Sequence, residues 1–112
     1  MKVKDKVKRL KTLQKDIALC GRVIDYYASE CEKTKVLTET RQRYIQLQEE
    51  ADMIEIQIMR SIAPAVITSN DYDIIMDALI HNIDRRMISE KYNVSYNRVA
   101  HKISNALQCT II

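Results

Sequence analysis

The sequence predicts an all-α protein, with an N-terminal antiparallel helical hairpin or coiled coil followed by a C-terminal three-helix domain. Three observations predict this class. The 112 residues include one Gly, one Pro, no Phe and no Trp, whereas sheet proteins need such residues for turns and cores. Apolar residues recur at helical spacing, and signals for helix ends surround the single proline. The length fits one domain, or a small domain with a helical extension.

A heptad repeat predicts a first helix over residues 3–32. Its first seam position, which recurs every seven residues, is occupied by Val3, Leu10, Ile17, Ile24 and Cys31. The position three residues further on is occupied by Leu13, Cys20 and Tyr27. This spacing is typical of a coiled-coil seam. Lys6 and Thr34 interrupt it, and Gly21 weakens the helix interior by about 1 kcal/mol relative to Ala.

A second seam predicts another helix over residues 38–62. It consists of Leu37, Tyr44, Ala51 and Ile58 together with Leu47 and Ile54. Because Cys31 and Leu37 are six residues apart rather than seven, the two seams are out of phase. A turn near Glu32 to Thr38, with Thr34 or Thr38 as the cap, accounts for the slip and gives the hairpin. One long helix remains the alternative, since no Gly or Pro marks this turn.

The second helix is apolar on more than one side towards its end. The residues responsible are Met53, Ile54, Ile56, Ile58, Met59, Ile62 and Ala63. A helix with two apolar sides needs two partners, and the first helix covers only one side. We therefore expect a homo-oligomer formed by residues 1–63, with a dimer as the default.

Pro64 ends the second helix and predicts a linker at residues 64–67. Thr68 and Asp71 have the spacing of a capping box, which predicts that the C-terminal domain, residues 68–112, opens with a helix at Thr68. The apolar face of that helix is Tyr72, Ile75, Met76, Leu79 and Ile83.

The rest of the domain has the pattern helix, three-residue turn, helix. Asp84 can cap a helix over residues 85–92, and Asn93 suits a left-handed turn. Ser95 can cap the last helix, and Ser89 is small enough for a close helix crossing. The buried face of the last helix is predicted to be Val99, Ile103, Ala106 and Leu107.

The stretch from Thr68 to Leu107 resembles the C-terminal helix-turn-helix domain of bacterial sigma factors. It is still more similar to sigma-like domains of small phage-encoded regulators, of the ArpU and late-gene-activator type. The matching residues are Thr68, Ile88, Val94, Ser95, Arg98, Val99, Ala106 and Leu107. Ser89 and Asn93 replace the usual Ala and Gly, and Lys102 stands where an apolar residue is common, so Ile103 must take over. The resemblance implies a sequence-specific DNA-binding regulator in the cytoplasm of a bacterial host.

The predicted recognition helix has one outward face and a cationic border. If it enters the major groove by its N-terminus, the base-contacting residues are Tyr96, Asn97, Ala100 and His101. The phosphate-contacting residues are then Arg86, Lys91, Ser95, Arg98 and Lys102. A solvated polar face on a small helical domain is the simpler alternative.

Charge and cysteine content bound the other functions. Residues 1–35 carry ten Lys/Arg against five Asp/Glu, so the first helix could track nucleic acid or could simply be solvated. Cys20, Cys31 and Cys109 form no CxxC pair and predict small buried residues rather than disulfides or zinc. We expect no catalytic residues, metal or cofactor, and no membrane partner. RNA polymerase or another regulatory protein is a further expected partner, and a protein-interaction module or a DNA-packaging recognition subunit is the alternative function.

Overall fold

The computed structural model describes residues 1–28 and 34–112, and this part of the chain is all-α, as predicted. A single 3-10 turn at Ala63–Ala65 joins the two long helices to the three short ones. The α-helices are α1 (Val3–Ala28), α2 (Thr34–Ser61), α3 (Asp71–Leu79), α4 (Arg85–Tyr92) and α5 (Tyr96–Leu107).

The two long helices pack along one another. Their contact buries Leu10, Leu13 and Cys20 of α1 against Leu47, Ala51, Ile54 and Ile58 of α2. An ion pair borders this contact, because Arg9 donates from Nε to Glu50 Oε1 at 2.9 Å and from a second nitrogen to Oε2 at 3.1 Å. The start of α1 and the end of α2 lie together, since the backbone N–H of Ile112 donates to Ser61 Oγ and that of Ile111 to the Met1 carbonyl.

The predicted bounds of these helices need correction. The described part of the second helix starts at Thr34, ahead of the predicted residue 38, so Thr38 lies inside α2 and cannot cap it. No Gly or Pro interrupts residues 34–38, and the helix therefore extends a turn further back than the phase slip suggested. The first helix is described as far as Ala28. Its predicted end at residue 32, Cys31 and Glu32 all lie outside the described residues.

The heptad seam of α1 is correct in direction but not at every position. Val3, Leu10, Leu13 and Cys20 are buried, whereas Ile17 and Ile24 are only half-buried. Val7 is also buried, although it lies outside the two seam positions, next to the interruption at Lys6. The buried side of α1 is therefore wider than a strict coiled-coil seam. Cys109 is half-buried, so the expectation of burial is met by Cys20 and not by Cys109.

One apolar cluster runs through all five helices. It joins Val3, Leu10, Ile58 and Ile62 to Ile74, Ile75, Ile88, Val99, Ile103 and Ala106. Ala65 and Val66, within the predicted linker, pack against the same cluster. The termini close it, because the N–H of Val3 donates to the Cys109 carbonyl at 2.8 Å and Lys2 forms an antiparallel bridge with Thr110.

The start of α3 also differs from the prediction. The helix begins at Asp71 rather than at Thr68. Asp71 does reach back to the backbone N–H of Thr68, at 2.9 Å, as a capping box requires. The reciprocal bond is absent, because Thr68 Oγ1 donates to the Asp71 carboxylate and the Asp71 N–H bonds to the Thr68 carbonyl. Residues 67–70 therefore form a turn ahead of the helix.

Candidate nucleic-acid interface

The turn between α4 and α5 is built as the sequence predicts. Asp84 accepts from the N–H of Arg86 at 3.1 Å and caps α4. Asn93 adopts the left-handed conformation, with φ of 51° and ψ of 47°. Ser95 then caps α5 by accepting from the N–H of Arg98 at 3.4 Å. These local bonds fix the point at which α5 begins.

Ser89 does more than allow a close crossing. Its hydroxyl donates to the carbonyl of Val94, which ties the last turn of α4 to the residue before the Ser95 cap. Val94 also donates from its backbone N–H to the Ser89 carbonyl at 3.1 Å. Two bonds between the same residues hold the connection rigid, and a glycine or alanine at position 89 would keep only one.

The buried face of α5 sets the rotation of the helix. Val99, Ile103 and Ala106 are buried and Leu107 is half-buried, as predicted. Ile103 therefore does take the place that Lys102 leaves open. The opposite face consequently points to solvent and begins with Asn97 and His101, both exposed.

The four predicted base-contacting residues are not equally accessible. Tyr96 is 49% exposed at the first position of α5, whereas Ala100 is half-buried between the outward and inward faces. Ser104 and Asn105 are exposed further along the same side. Sequence reasoning missed these two because it stopped at the N-terminal half of the helix. Their spacing of three and four residues from His101 was the available signal.

Of the five predicted phosphate-contacting residues, Ser95 caps α5, and the four cations differ in whether their charge is paired. Arg86 and Arg98 are exposed, and neither is in an ion pair within the described residues. Lys91 is exposed but binds Asp77 Oδ2 at 3.0 Å. Lys102 bonds through Nζ to Asp71, and its side chain is only 16% exposed. Its charge is therefore paired within the domain, and its predicted phosphate contact stays a prediction.

Hydrogen-bond donors from the segment before α3 converge on the carboxylate of Asp71. Its buried carboxylate accepts from the N–H of Ile67 at 2.8 Å, from both the N–H and the hydroxyl of Thr68, and from Lys102. Burial raises the pKa of the Asp71 carboxyl, but the bonds from Lys102 and Thr68 outweigh it and hold the pKa well below the ordinary value. The carboxylate is charged, and it anchors α5 to the turn that precedes α3.

Asp77 makes the corresponding link between α3 and α4. Its Oδ2 accepts from Tyr92 Oη at 2.8 Å as well as from Lys91. Burial raises the pKa of Asp77, and the bonds from Tyr92 and Lys91 lower it further than burial raises it. The bond to Asp77 also raises the pKa of Lys91. The charge of Lys91 is thus already paired within the domain.

A shallow cleft separates α5 from the turn before α3. On α5 it is lined by Asn97, Arg98, His101, Lys102 and Asn105, and on the other side by Ala65, Ile67 and Asp71. Ile67 is 85% exposed at its rim. The cleft therefore combines hydrogen-bonding groups, Arg98, the Lys102–Asp71 ion pair and apolar surface.

Within residues 1–28 and 34–112, no three His, Cys, Asp or Glu side chains come together as a metal site. No helix of this described part is long and apolar enough to cross a membrane. Comparison of the chain with protein-family models, curated proteins and solved structures gives no match. The resemblance to sigma-like phage regulators consequently stays a prediction that rests on the residues quoted above.

Proposed function

We propose that this protein is a sequence-specific DNA-binding transcriptional regulator of phage type. In this proposal α4, the turn at Asn93 and α5 form a helix-turn-helix, and α1 and α2 form a helical hairpin that mediates self-association. The observation that carries the proposal is the first half of α5, where Asn97, Arg98 and His101 are all exposed, together with the exposed Arg86 on α4. Groups that read bases thus stand beside groups that bind phosphates.

The proposed contacts follow from the chemistry of the major groove. Asn97 can bond to adenine through two atoms, and His101 or Tyr96 can bond to a base edge. Ala100 is small enough to meet a thymine methyl group. Arg86 and Arg98 neutralise phosphates on either side, which supplies affinity without sequence information. Lys91 can contribute to phosphate binding only if its ammonium group contacts a phosphate as well as Asp77.

Selection from randomised duplexes tests this function. The full-length protein is incubated with a random duplex pool at moderate salt, and the bound fraction is amplified and sequenced over several rounds. We expect a defined motif to emerge, and we expect its enrichment to be lost with Asn97→Ala. A pool that stays random, or the absence of bound duplex, would favour the protein-interaction alternative.

Self-association is the second part of the proposal. Ile45, Met53, Ile56 and Met59 are exposed on α2, on the side that α1 does not cover. Several large apolar side chains exposed on one side of a helix often mark an interface. Light scattering of the full chain at micromolar concentration is expected to show a dimer or a larger assembly. A monomer under these conditions contradicts the proposed oligomerisation while leaving DNA binding to be judged on its own.

A further inference from the structure

The outward side of α1 carries a stripe of cations, which we name the basic face. It consists of Lys4, Lys8, Lys11, Lys15 and Arg22, all exposed. Their spacing of four, three, four and seven residues keeps them within one narrow sector of the helix. Within the described residues, none of the five forms an ion pair. The basic face therefore has charge to offer to another molecule.

Two clefts with apolar floors flank the basic face. One lies between Lys4, Lys8 and Lys11 on α1 and the apolar residues Leu79, Ile83 and Leu107, and Asp84 and Arg85 also line it. The other follows α1 further, where Lys11, Lys15 and Arg22 surround Ala18 and the 55%-exposed Leu19. Cations above an apolar floor suit a partner that has both acidic and apolar side chains. A phosphate backbone offers the charge but no apolar groups to fill the floor.

The outer side of α2 has this composition, and we name it the acidic-apolar face. Ile45, Met53, Ile56 and Met59 are 54%, 65%, 46% and 42% exposed. Glu49 and Asp52 lie among them and are also exposed. Of the four acidic residues in residues 45–59, Glu50 pairs with Arg9 and Glu55 is half-buried, so Glu49 and Asp52 carry the charge of this face, and the range contains no Lys or Arg. The face is therefore complementary to the basic face in charge, and it has side chains that can fill apolar clefts.

The two faces cannot meet within one molecule. α1 and α2 already pack together through their other sides, where Leu10 and Leu13 contact the layer of Leu47 and Ile54. Pairing of the acidic-apolar face with itself would bring together two surfaces that each carry the acids Glu49 and Asp52. Like charges brought together across an interface are destabilising, whereas the basic face offers opposite charges.

We propose that the acidic-apolar face of α2 docks on the basic face of α1 of a second copy. This inference specifies the contact behind the proposed self-association and does not depend on DNA binding. The contact joins two different surfaces, so it is heterologous and leaves one face free at each end. Association therefore continues beyond a dimer, into an open chain or a closed ring, and added salt weakens it.

A charge-swap experiment tests the contact. The first variant carries Lys11→Glu and Lys15→Glu, and the second carries Glu49→Lys and Asp52→Lys. Each variant alone opposes like charges, so its association constant should fall by at least about tenfold. An equimolar mixture restores opposite charges at every contact, and its mass in light scattering should return to that of the wild-type protein. The substituted residues are exposed, so thermal unfolding by circular dichroism should remain cooperative in both variants.

The matched control carries Arg86→Glu and Arg98→Glu, which changes the net charge as much as the first variant does. It should keep wild-type self-association and lose affinity for duplex DNA. A first variant that associates like wild type, or a mixture that does not recover, overturns the inference. If that variant instead loses DNA binding while still associating, the basic face binds DNA. A monomeric wild-type protein overturns this contact and the proposed oligomerisation together, and DNA binding is then judged separately.

Discussion

Lys102 shows how a side chain's surroundings decide its role. In the sequence it is one of several cations near the end of the chain, at a position compatible with a phosphate contact. In the structure it neutralises Asp71, which is fully buried and also accepts from Ile67 and Thr68. Removing one partner of a buried pair leaves an uncompensated charge, so the residue has a structural role that Arg98 lacks.

We predict that Lys102→Ala lowers the free energy of unfolding by about 3 kcal/mol. The loss lies at the lower end for a broken buried pair, because the bonds from Ile67 and Thr68 to Asp71 remain. Guanidinium titration followed by circular dichroism measures it. Arg98→Ala is the matched control and should change stability by no more than about 0.5 kcal/mol. Equal effects of the two substitutions would refute the structural role.

The same carboxylate makes stability depend on pH. The pKa of Asp71 is lowered by folding from its ordinary value of 3.8, and that of Asp77 is lowered too. A group with a depressed folded-state pKa stabilises the protein fully above its unfolded-state pKa, and this contribution is lost as the pH falls. We therefore expect stability to decrease steadily below about pH 4. In Lys102→Ala the decrease should be shallower, and identical pH profiles for the two proteins would contradict the assignment.

At the proposed DNA interface, Asn97→Ala and Arg98→Ala should fail differently. Losing the Asn97 contact should cost about 1–3 kcal/mol and relax the preference at one base pair. Losing Arg98 should weaken binding to every duplex and reduce the slope of affinity against salt by about one charge. Mobility-shift titrations with selected and scrambled duplexes at two salt concentrations separate these outcomes. No effect of either substitution on any duplex would argue against insertion of α5.

At the scale of elements, the predicted bounds were correct where a side chain caps the helix. α4 spans Arg85–Tyr92 as expected, because Asp84 and Asn93 define its ends. α5 follows the Ser95 cap in the same way. The start of α2 was wrong, since the threonines of residues 34–38 gave two candidate caps and no breaker. The start of α3 was wrong because Asp71 uses its carboxylate to hold the preceding turn as well.

Gly21 lowers the stability of α1, and the structure has space for a side chain at this position. A Cβ atom added there would meet no atom within 4 Å. Gly21→Ala should therefore raise the free energy of unfolding by up to about 1 kcal/mol, since glycine is a poor helix former. Chemical denaturation of the full chain measures the gain. A loss of stability would indicate that α1 needs the glycine for a contact with another copy.

At the scale of the whole molecule, the continuous core predicts a single unfolding transition. Ile58 lies in α2 and Ile103 in α5, yet both belong to one cluster. Ile58→Ala and Ile103→Ala should each cost about 2–5 kcal/mol and move the same transition. Circular dichroism and tyrosine fluorescence should give coincident curves, because tyrosines occur in α1, α2, α3, α4 and α5. Two separated transitions would indicate that residues 1–63 and 68–112 unfold independently.

The sequence by itself determined the helical class, the α4–turn–α5 segment and the apolar face of α5. These features depend on local rules: periodicity, the caps at Asp84 and Ser95, and the tolerance of Asn93 for a left-handed backbone. The outward positions of Asn97 and His101 follow from the same periodicity, and so they could be named without coordinates.

Only the tertiary structure decided which charges remain available and how the two halves of the chain meet. Lys91 and Lys102 pair with Asp77 and Asp71, which lie 14 and 31 positions away in the sequence. Arg86 and Arg98 form no ion pair in the described part of the chain. The hydrogen bond from the Val3 N–H to the Cys109 carbonyl, which connects the two ends of the chain, likewise could not be predicted from the sequence. Ion pairs and core contacts between distant residues depend on the packing angles of helices, and no local pattern of residues encodes those angles.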